Sequence, residues 1–366
     1  MNTIGFSTDP KAIQELIDAI DPVAYAKTRN FINGSVTRLS PYLSRGVIDL
    51  PQLRDKIRAS FPINQSIKLL QEFAWREYYQ RIWQAKGTAI FSDLKQPQSG
   101  VLHFQMPTAL LNAATKIEAI DKSIEGLYQT GYMHNHCRMY CAMLACNIGK
   151  AHWSVPARWM YYHLLDGDLA SNALSWQWVA GSFSSKKYIA NQENINTYTG
   201  SVQRNTFLDV DYTSLASLDV PDALKASGKL HLATLLPDSE EPVSIPNAPL
   251  FVYNSYQIDP KWYIHEKGNR VLLLEPDHFE KYPVSDRVLS FIISLAKAQI
   301  PDIKIFCGSF DDLVNRTGFT SIHYKEHPLS NHYRGLKEER NWMFPEIKGY
   351  YPSFFSYWKK CERFLR

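Results

Sequence analysis

Asp166-Gly-Asp-Leu-Ala-Ser-Asn-Ala-Leu-Ser-Trp-Gln-Trp178 is the stretch on which the reading of the fold turns. Taken with Gly131-Tyr-Met-His-Asn-His-Cys-Arg-Met139 upstream, it commits an arginine, two acids, an asparagine and two tryptophans to a buried place or a cleft. Polar groups in such a place need partners, so this is not ordinary core. Around it, from Asp9 to about Asn172, the chain reads as helix after helix. Apolar residues recur at spacings of three and four, as in Ile13, Leu16, Ile17 and Ile20, or Leu69, Leu70, Phe73, Trp75, Tyr78 and Tyr79. The breaks carry Pro41, Pro62, Pro97, Gly100, Pro107, Gly131 and Pro156.

Two earlier blocks share the unusual character. Asn33-Gly-Ser-Val-Thr-Arg-Leu-Ser-Pro-Tyr42 gathers hydroxyls and an arginine at a helix start, with Ser40 as the expected N-cap and Pro41 as the first helical residue. Such a terminus suits a phosphate. Glu72-Phe-Ala-Trp-Arg-Glu-Tyr-Tyr79 puts Glu72, Trp75, Arg76 and Tyr79 within two turns, combining an acceptor, a base and flat rings. Singly, each has a plain structural explanation: the second block as an amphipathic helix with a surface ion pair, Tyr25 as core, Asp168 as a helix cap.

Beyond the helices, residues 205–249 are richer in Ser, Asp and Pro and read as a linker. After Pro249 the pattern changes to short apolar runs alternating with helices: strands at Leu250–Tyr253, Arg270–Leu274, Ile303–Phe306 and Ser321–Tyr324, with a helix from Ser285 to Ala298. This predicts a small parallel sheet. The tail from Tyr351, with Phe354, Phe355, Tyr357 and Trp358 beside Lys359, Lys360 and Arg363, reads as a closing helix. Gly308-Ser-Phe-Asp follows a strand but lacks the Gly-rich fingerprint of a phosphate loop. The expected fold class is multi-domain α and α/β: a helical domain over 1–204, a linker over 205–249 and an α/β parallel-sheet domain over 250–366.

Composition sets the outer bounds. With 366 residues, 45% of them apolar and 21% charged, the chain is globular rather than disordered or fibrous. Its longest aliphatic run, Val271 to Leu274, falls far short of the roughly 18 residues of a membrane span. The start, MNTIGFSTDPKAIQ, does not read as a secretory signal, so a cytoplasmic protein is expected. Five cysteines without a CxxC argue for reduced thiols; Cys137, Cys141 and Cys146 follow His134 and His136, but packing explains them better than a metal, and none is expected. Net charge is +4: residues 1–200 hold 20 Lys/Arg against 15 Asp/Glu, and 201–366 hold 20 against 21. That bias permits a polyanionic partner for the first part without establishing one.

In order along residues 10–195, the motifs TRLSPYL, ExxWRExY, GYMHNxxRM and DGDLASN…WQW resemble the flavin-binding domain of the DNA photolyase and cryptochrome family, most of all the cyclobutane pyrimidine dimer photolyases. The resemblance implies FAD held in a helical bundle. On its matching positions Tyr25, Thr37, Arg38, Leu39, Ser40 and Arg76 would line the phosphate and ribityl side. Asn135 and Arg138, the latter paired with Asp166, would sit by the isoalloxazine, Asp168 at its polar edge and Asn172 at its N5. Trp75 and Trp178 would wall a pocket for a flipped-out dimer, with Glu72, Asn135 and Met139 as its further contacts. Met139 stands where the (6-4) photolyases lead one to expect a histidine. Trp176 and Trp153 match the first two members of the tryptophan chain that photoreduces the flavin. Glu72, Asn172, Trp176 and Trp153 would then be the residues of the reaction, repair of DNA by a monomer.

The chain also departs from the pattern. The stretch Ile90–Gln105, where a third tryptophan belongs, offers only Phe91, His103 and Phe104. The family places an α/β antenna domain before the flavin domain, whereas here the α/β pattern follows, which suggests a permuted order; a second antenna chromophore is not specified. Ser184 to Asn196 is closer to the iron–sulfur branch, whose four-cysteine spacing is absent, so no cluster is expected. Lys186 and Lys187, with Arg45 and Arg76 behind them, are candidate phosphate contacts. The competing readings are a cryptochrome-like blue-light receptor without repair and a colourless helical binding module.

Overall fold

Capping explains much of where the helices begin and end in the computed structural model, which describes residues 5–242 and 245–365. Residues 1–4 of the expected helical domain, 243 and 244 of the expected linker, and Arg366 lie outside the described residues. Glu118–Thr130 carries Glu118 and Asp121 in its first turn and stops at Gly131, whose φ of +72° suits glycine. Asn135–Met143 starts on His134, whose ring nitrogen accepts the His136 amide, and runs into a single π turn at Leu144–Ile148. Leu169–Ala180 is capped by Asp168 and ends at Gly181 with φ +83°.

These helices and Ser154–His163 belong to one of two compact units, formed by Val23–Val36 and Lys86–His231. Its core includes Ile120, Ile124, Leu127, Tyr140, Leu144, Trp153, Trp159 and Trp176, all nearly inaccessible. Among its described residues the strands are β1 (Met106–Pro107) and β2 (Ser227–Gly228), a two-residue antiparallel pair. Leu208, Leu215 and Leu224 are buried in the same core, so residues 205–231 are part of this unit rather than a linker. A Ser- and Pro-rich stretch needs only such apolar anchors to be fixed.

The second unit contains Gly5–Pro22, Thr37–Ala85 and the chain from Leu232 on. Its centre is a parallel sheet of β3 (Leu250–Tyr253), β4 (Asn269–Leu274), β5 (Lys304–Cys307), β6 (Ile322–Lys325) and β7 (Leu336–Glu338), in the order β5-β4-β3-β6-β7. Every residue of β3 and β4 is buried, as a parallel sheet covered on both faces requires. Four strands fall within a residue of their expected positions; β7, a three-residue edge strand with Leu336 exposed, was not anticipated. Helices Pro10–Asp18, Leu50–Ser60 and Ile63–Lys86 up to Ala85 count with the sheet. The compact units therefore do not coincide with the expected ranges 1–204, 205–249 and 250–366: they interleave along the chain.

Candidate functional site

Two helices of the first unit turn matching faces to one cavity of about 140 Å³. Asn135, Arg138, Met139 and Ala142 line it from Asn135–Met143, and Asn172, Ser175, Trp176 and Val179 from Leu169–Ala180. Both sets follow the spacing i, i+3, i+4, i+7 of a single helix face. Met160 and Leu164 add apolar surface, and the connection after Leu164 delivers Asp166 and Asp168.

The polar lining is held in place by named partners. Arg138 donates from Nη2 to Asp166 at 2.8 Å and from Nε to the Met133 carbonyl at 2.8 Å. The Asp166 side chain is 5% exposed, so this ion pair is largely desolvated. Asp168, 2% exposed, accepts the Ser171 amide at 2.7 Å. It is thus both the helix cap of the plain reading and a wall of the cavity. Asn172 donates its amide to the Ala157 carbonyl at 2.9 Å, which leaves Oδ1 as the free acceptor of that side chain. Ser171 Oγ is buried in the lining without a hydrogen-bond partner. A buried orphan hydroxyl is what a site shaped for a polar ligand leaves when described without it.

Trp176 closes the cavity and is 2% exposed. Trp153 is equally buried in the same core, and its indole Nε1 donates to Asp93 Oδ1 at 2.7 Å. The other carboxylate oxygen accepts the Gln98 amide at 2.9 Å and lies 3.5 Å from His152 Nε2. Burial works to raise the Asp93 carboxyl, but the Gln98 amide, the Trp153 indole and His152 outweigh it and hold it below its ordinary range. Sequence reading passed over Asp93: a lone acid in a loop carries no pattern. Trp178 is 37% exposed, its ring centroid 6.1 Å from Tyr188.

Desolvation lowers His134, beside the cavity-lining Asn135, to about 4, and the positive charge of Arg138 contributes. Cys137, Cys141 and Cys146 are buried free thiols, pushed up by desolvation. Among the described residues no group of three or more His, Cys, Asp or Glu is placed to hold a metal. Lys187 is anchored, donating to the Ser99 carbonyl at 2.6 Å, whereas Lys186 is exposed. Half-buried Tyr25 also belongs to this unit.

The remaining candidates belong to the second unit. Arg38 is exposed and takes the left-handed region at φ +54°, uncommon outside glycine. Leu39 returns to right-handed values and donates its amide to Thr37 Oγ1 at 3.4 Å. The helix therefore begins at Ser40, and Leu39, not Ser40, is its cap residue, without a side-chain bond. The reversal of hand at Arg38 and Leu39 moves the start one residue earlier than the hydroxyl suggests. Arg45 is no phosphate contact: at 1% exposure it donates to the Ser255 carbonyl at 3.4 Å and lies over the Tyr256 ring. Glu72 and Arg76 are half-buried, Arg76 donating to the Leu43 carbonyl at 3.5 Å.

Trp75 is half-buried, and Phe354 is stacked on one face with centroids 3.7 Å apart and planes at 10°. Tyr79 lies at 5.6 Å, and the exposed Phe355 stands edge-on at 6.5 Å. The crevice between the carboxyl ends of β3 and β6, where sheets of this order commonly hold ligands, is packed by the unit's own Arg45, Trp83, Tyr256 and His327. Gly308 and Ser309 are explained by helix capping, the Ser309 side chain accepting the Asp312 amide.

Residues 69–204 match the family profile described as the FAD binding domain of DNA photolyase. A deoxyribodipyrimidine photo-lyase of a Synechococcus species is 31% identical over 199 residues, 49% of this chain and 40% of that protein. A cryptochrome DASH of Idiomarina loihiensis is 29% identical over 169 residues, 43% of this chain and 37% of the relative. Among solved structures, a cryptochrome of Synechocystis sp. PCC6803 is 20% identical with a TM-score of 0.49, covering 54% of this chain and 44% of that one. The chain thus matches less than half the length of these curated relatives. Its helical region is an FAD-binding domain of the photolyase kind. Residues 69–204 are similar to the flavin-binding domain of the DNA photolyase and cryptochrome family, a domain whose cofactor is FAD. The cavity fits such a ring: an orphan hydroxyl, an amide acceptor, a desolvated Arg–Asp pair and flat apolar walls. No helix among the described residues is long and apolar enough to cross a membrane.

Proposed function

We propose that this chain is a DNA photolyase that splits cyclobutane pyrimidine dimers, acting as a monomer, with the α/β region an antenna-like domain placed after the flavin-binding helices. The observation that carries the reading is the cavity in which Arg138, Asp166, Asp168 and Asn172 face a wall closed by Trp176. FAD, bound and reduced, supplies the photoexcited electron that opens the cyclobutane ring and is then recovered. The rest is work for the chain's own side chains. The Arg138–Asp166 pair brings a cation to the cavity with its counter-charge already in place, so an anionic ring meets no unpaired buried charge. Asn172, its amide spent on Ala157, offers an oxygen to a ring N–H without adding charge, which favours the reduced cofactor.

Tyr25, Thr37, Arg38, Leu39, Ser40 and Arg76 are assigned to the phosphate and ribityl side, supported by the turn at Arg38 with its hydroxyl neighbours. Trp75 and Trp178 are assigned to the dimer, each stacked base adding about 1–3 kcal/mol. Because Phe354 already fixes Trp75, that ring loses little freedom on binding. Glu72 accepts from the pyrimidine edge, and Asn135 and Met139 complete the contacts. The parallel sheet is what the antenna assignment requires.

The test is blue-light repair of a cyclobutane thymine dimer in a defined oligonucleotide after chemical reduction of the flavin. Repair in light and none in darkness is expected, with Glu72→Ala losing repair but keeping its flavin. A folded protein that is yellow as purified and repairs nothing once its flavin is fully reduced overturns the reading in favour of a blue-light receptor.

A further inference from the structure

We infer that Asp93 is the proton acceptor that traps the oxidised form of Trp153 during light-driven reduction of the flavin, in place of a third tryptophan. The inference rests on the flavin-binding reading above and extends it to a residue with no assigned role. Trp153 is 2% exposed, so its indole N–H has no route to bulk water, and the group it meets is the Asp93 carboxylate at 2.7 Å. Indole is a very weak acid, but removal of one electron raises its N–H to roughly the strength of a carboxylic acid. A carboxylate already holding that hydrogen takes the proton with almost no movement of heavy atoms.

The step balances. The oxidant is the photoexcited oxidised flavin; one electron leaves Trp153 inward through Trp176, the indole N–H bond breaks, and an O–H bond forms on Asp93. Trp153 is left a neutral radical, and the electron cannot return until the proton does. His152, 3.5 Å away across the carboxylate, is the next base outward; its ring stacks on Phe104, which is 66% exposed, and its Nδ1 lies 2.8 Å from Ser154 Oγ. The segment that would carry a third tryptophan thus contributes a base instead.

Flash photolysis of the oxidised holoprotein tests this with Asp93→Asn, which keeps a hydrogen-bond acceptor but removes the base. The parent is expected to pass from the optical signature of the tryptophan radical cation to that of the neutral radical, more slowly in deuterated water. In Asp93→Asn that conversion should slow by about a hundredfold, the lower end of what a positioned base supplies, and charge recombination should take over. Trp153→Phe assigns the signal by abolishing it. Equal conversion in the parent and Asp93→Asn, with the same flavin content, overturns the proposal while leaving the flavin reading intact. If Asp93→Asn does not fold, absence of a deuterium effect in the parent overturns it alone. A parent that takes up no FAD overturns both.

Discussion

Glu77→Gln removes one negative charge from the interior of the second unit and changes almost no volume. Glu77 is 2% exposed and carries five bonds. Oε1 accepts from Arg81 Nη2 at 3.1 Å and Nε at 3.3 Å, from the Phe344 amide at 3.2 Å and from Tyr357 Oη at 2.6 Å, while Oε2 accepts from the Met343 amide. The glutamine has one acceptor oxygen, so its NH₂ must face the Met343 amide, donor to donor. Arg81, 6% exposed, keeps the remaining oxygen as an acceptor, the Phe344 carbonyl at 2.8 Å and the Trp342 ring at 4.2 Å, but loses the negative charge that pairs it. Stranding one member of a buried pair costs about 3–5 kcal/mol, and an unsatisfied buried donor about 1–3 kcal/mol; because the two overlap, about 4 kcal/mol is expected. Tyr357→Phe, which removes one donor and leaves the charge paired, should cost about 1–2 kcal/mol. Urea unfolding followed by hydrogen exchange of amides in this unit measures both. A Glu77→Gln loss below about 1 kcal/mol, or one no larger than that of Tyr357→Phe, refutes the assignment of Glu77 as the anchor of the C-terminal segment.

Arg138→Ala leaves the Asp166 carboxylate desolvated without its cation, so FAD per chain after purification should fall, with affinity at least about tenfold weaker; full retention contradicts the cavity assignment. His134, His163 and His278 are each lowered to about 4, mainly by desolvation, so they stay neutral in the folded chain while the unfolded chain binds protons below about pH 6.5. Stability should therefore be flat above that pH and fall as pH drops toward 4, each histidine adding a slope of up to about 1.4 kcal/mol per pH unit; urea midpoints at pH 7.5, 6 and 5 measure it. Gly34→Ala would set a Cβ 1.9 Å from the Thr28 carbonyl oxygen. A loss of several kcal/mol is expected there, and a thermal midpoint equal to the parent's disproves the close approach.

Much of this was legible in the chain. The buried runs at Leu250–Tyr253 and Asn269–Leu274 are apolar because both faces of a central parallel strand are covered, so they stand out. β7 does not, since an edge strand with exposed Leu336 and Lys337 carries no such burial. Asn135, Arg138 and Met139 were named through the resemblance of the GYMHNxxRM motif, and the structure adds that their spacing sets them on one helix face lining the cavity. Contacts made across long sequence separations were not legible. Nothing near Trp75 announces Phe354, and nothing in Glu77 distinguishes a buried anchor from a surface acid until Met343, Phe344 and Tyr357 are brought to it. Asp93 was invisible for the same reason, its meaning lying in Trp153 sixty residues on.

The interleaving of the two units sets a schedule for synthesis. Helices Pro10–Asp18, Leu50–Ser60 and Ile63–Lys86 up to Ala85 belong with a sheet whose part of the chain begins at Leu232, and the 146 residues from 86 to 231 must be made in between. At about 5–20 residues per second that is about 7–30 s during which the apolar faces of Pro10–Asp18, Leu50–Ser60 and Ile63–Lys86 wait for their sheet. The helical unit is finished first, and the earliest-made helices are among the last to be covered. A chaperone that shelters nascent apolar helices would act on this window, and ending the chain at residue 204 would leave those helices permanently without the sheet they count with.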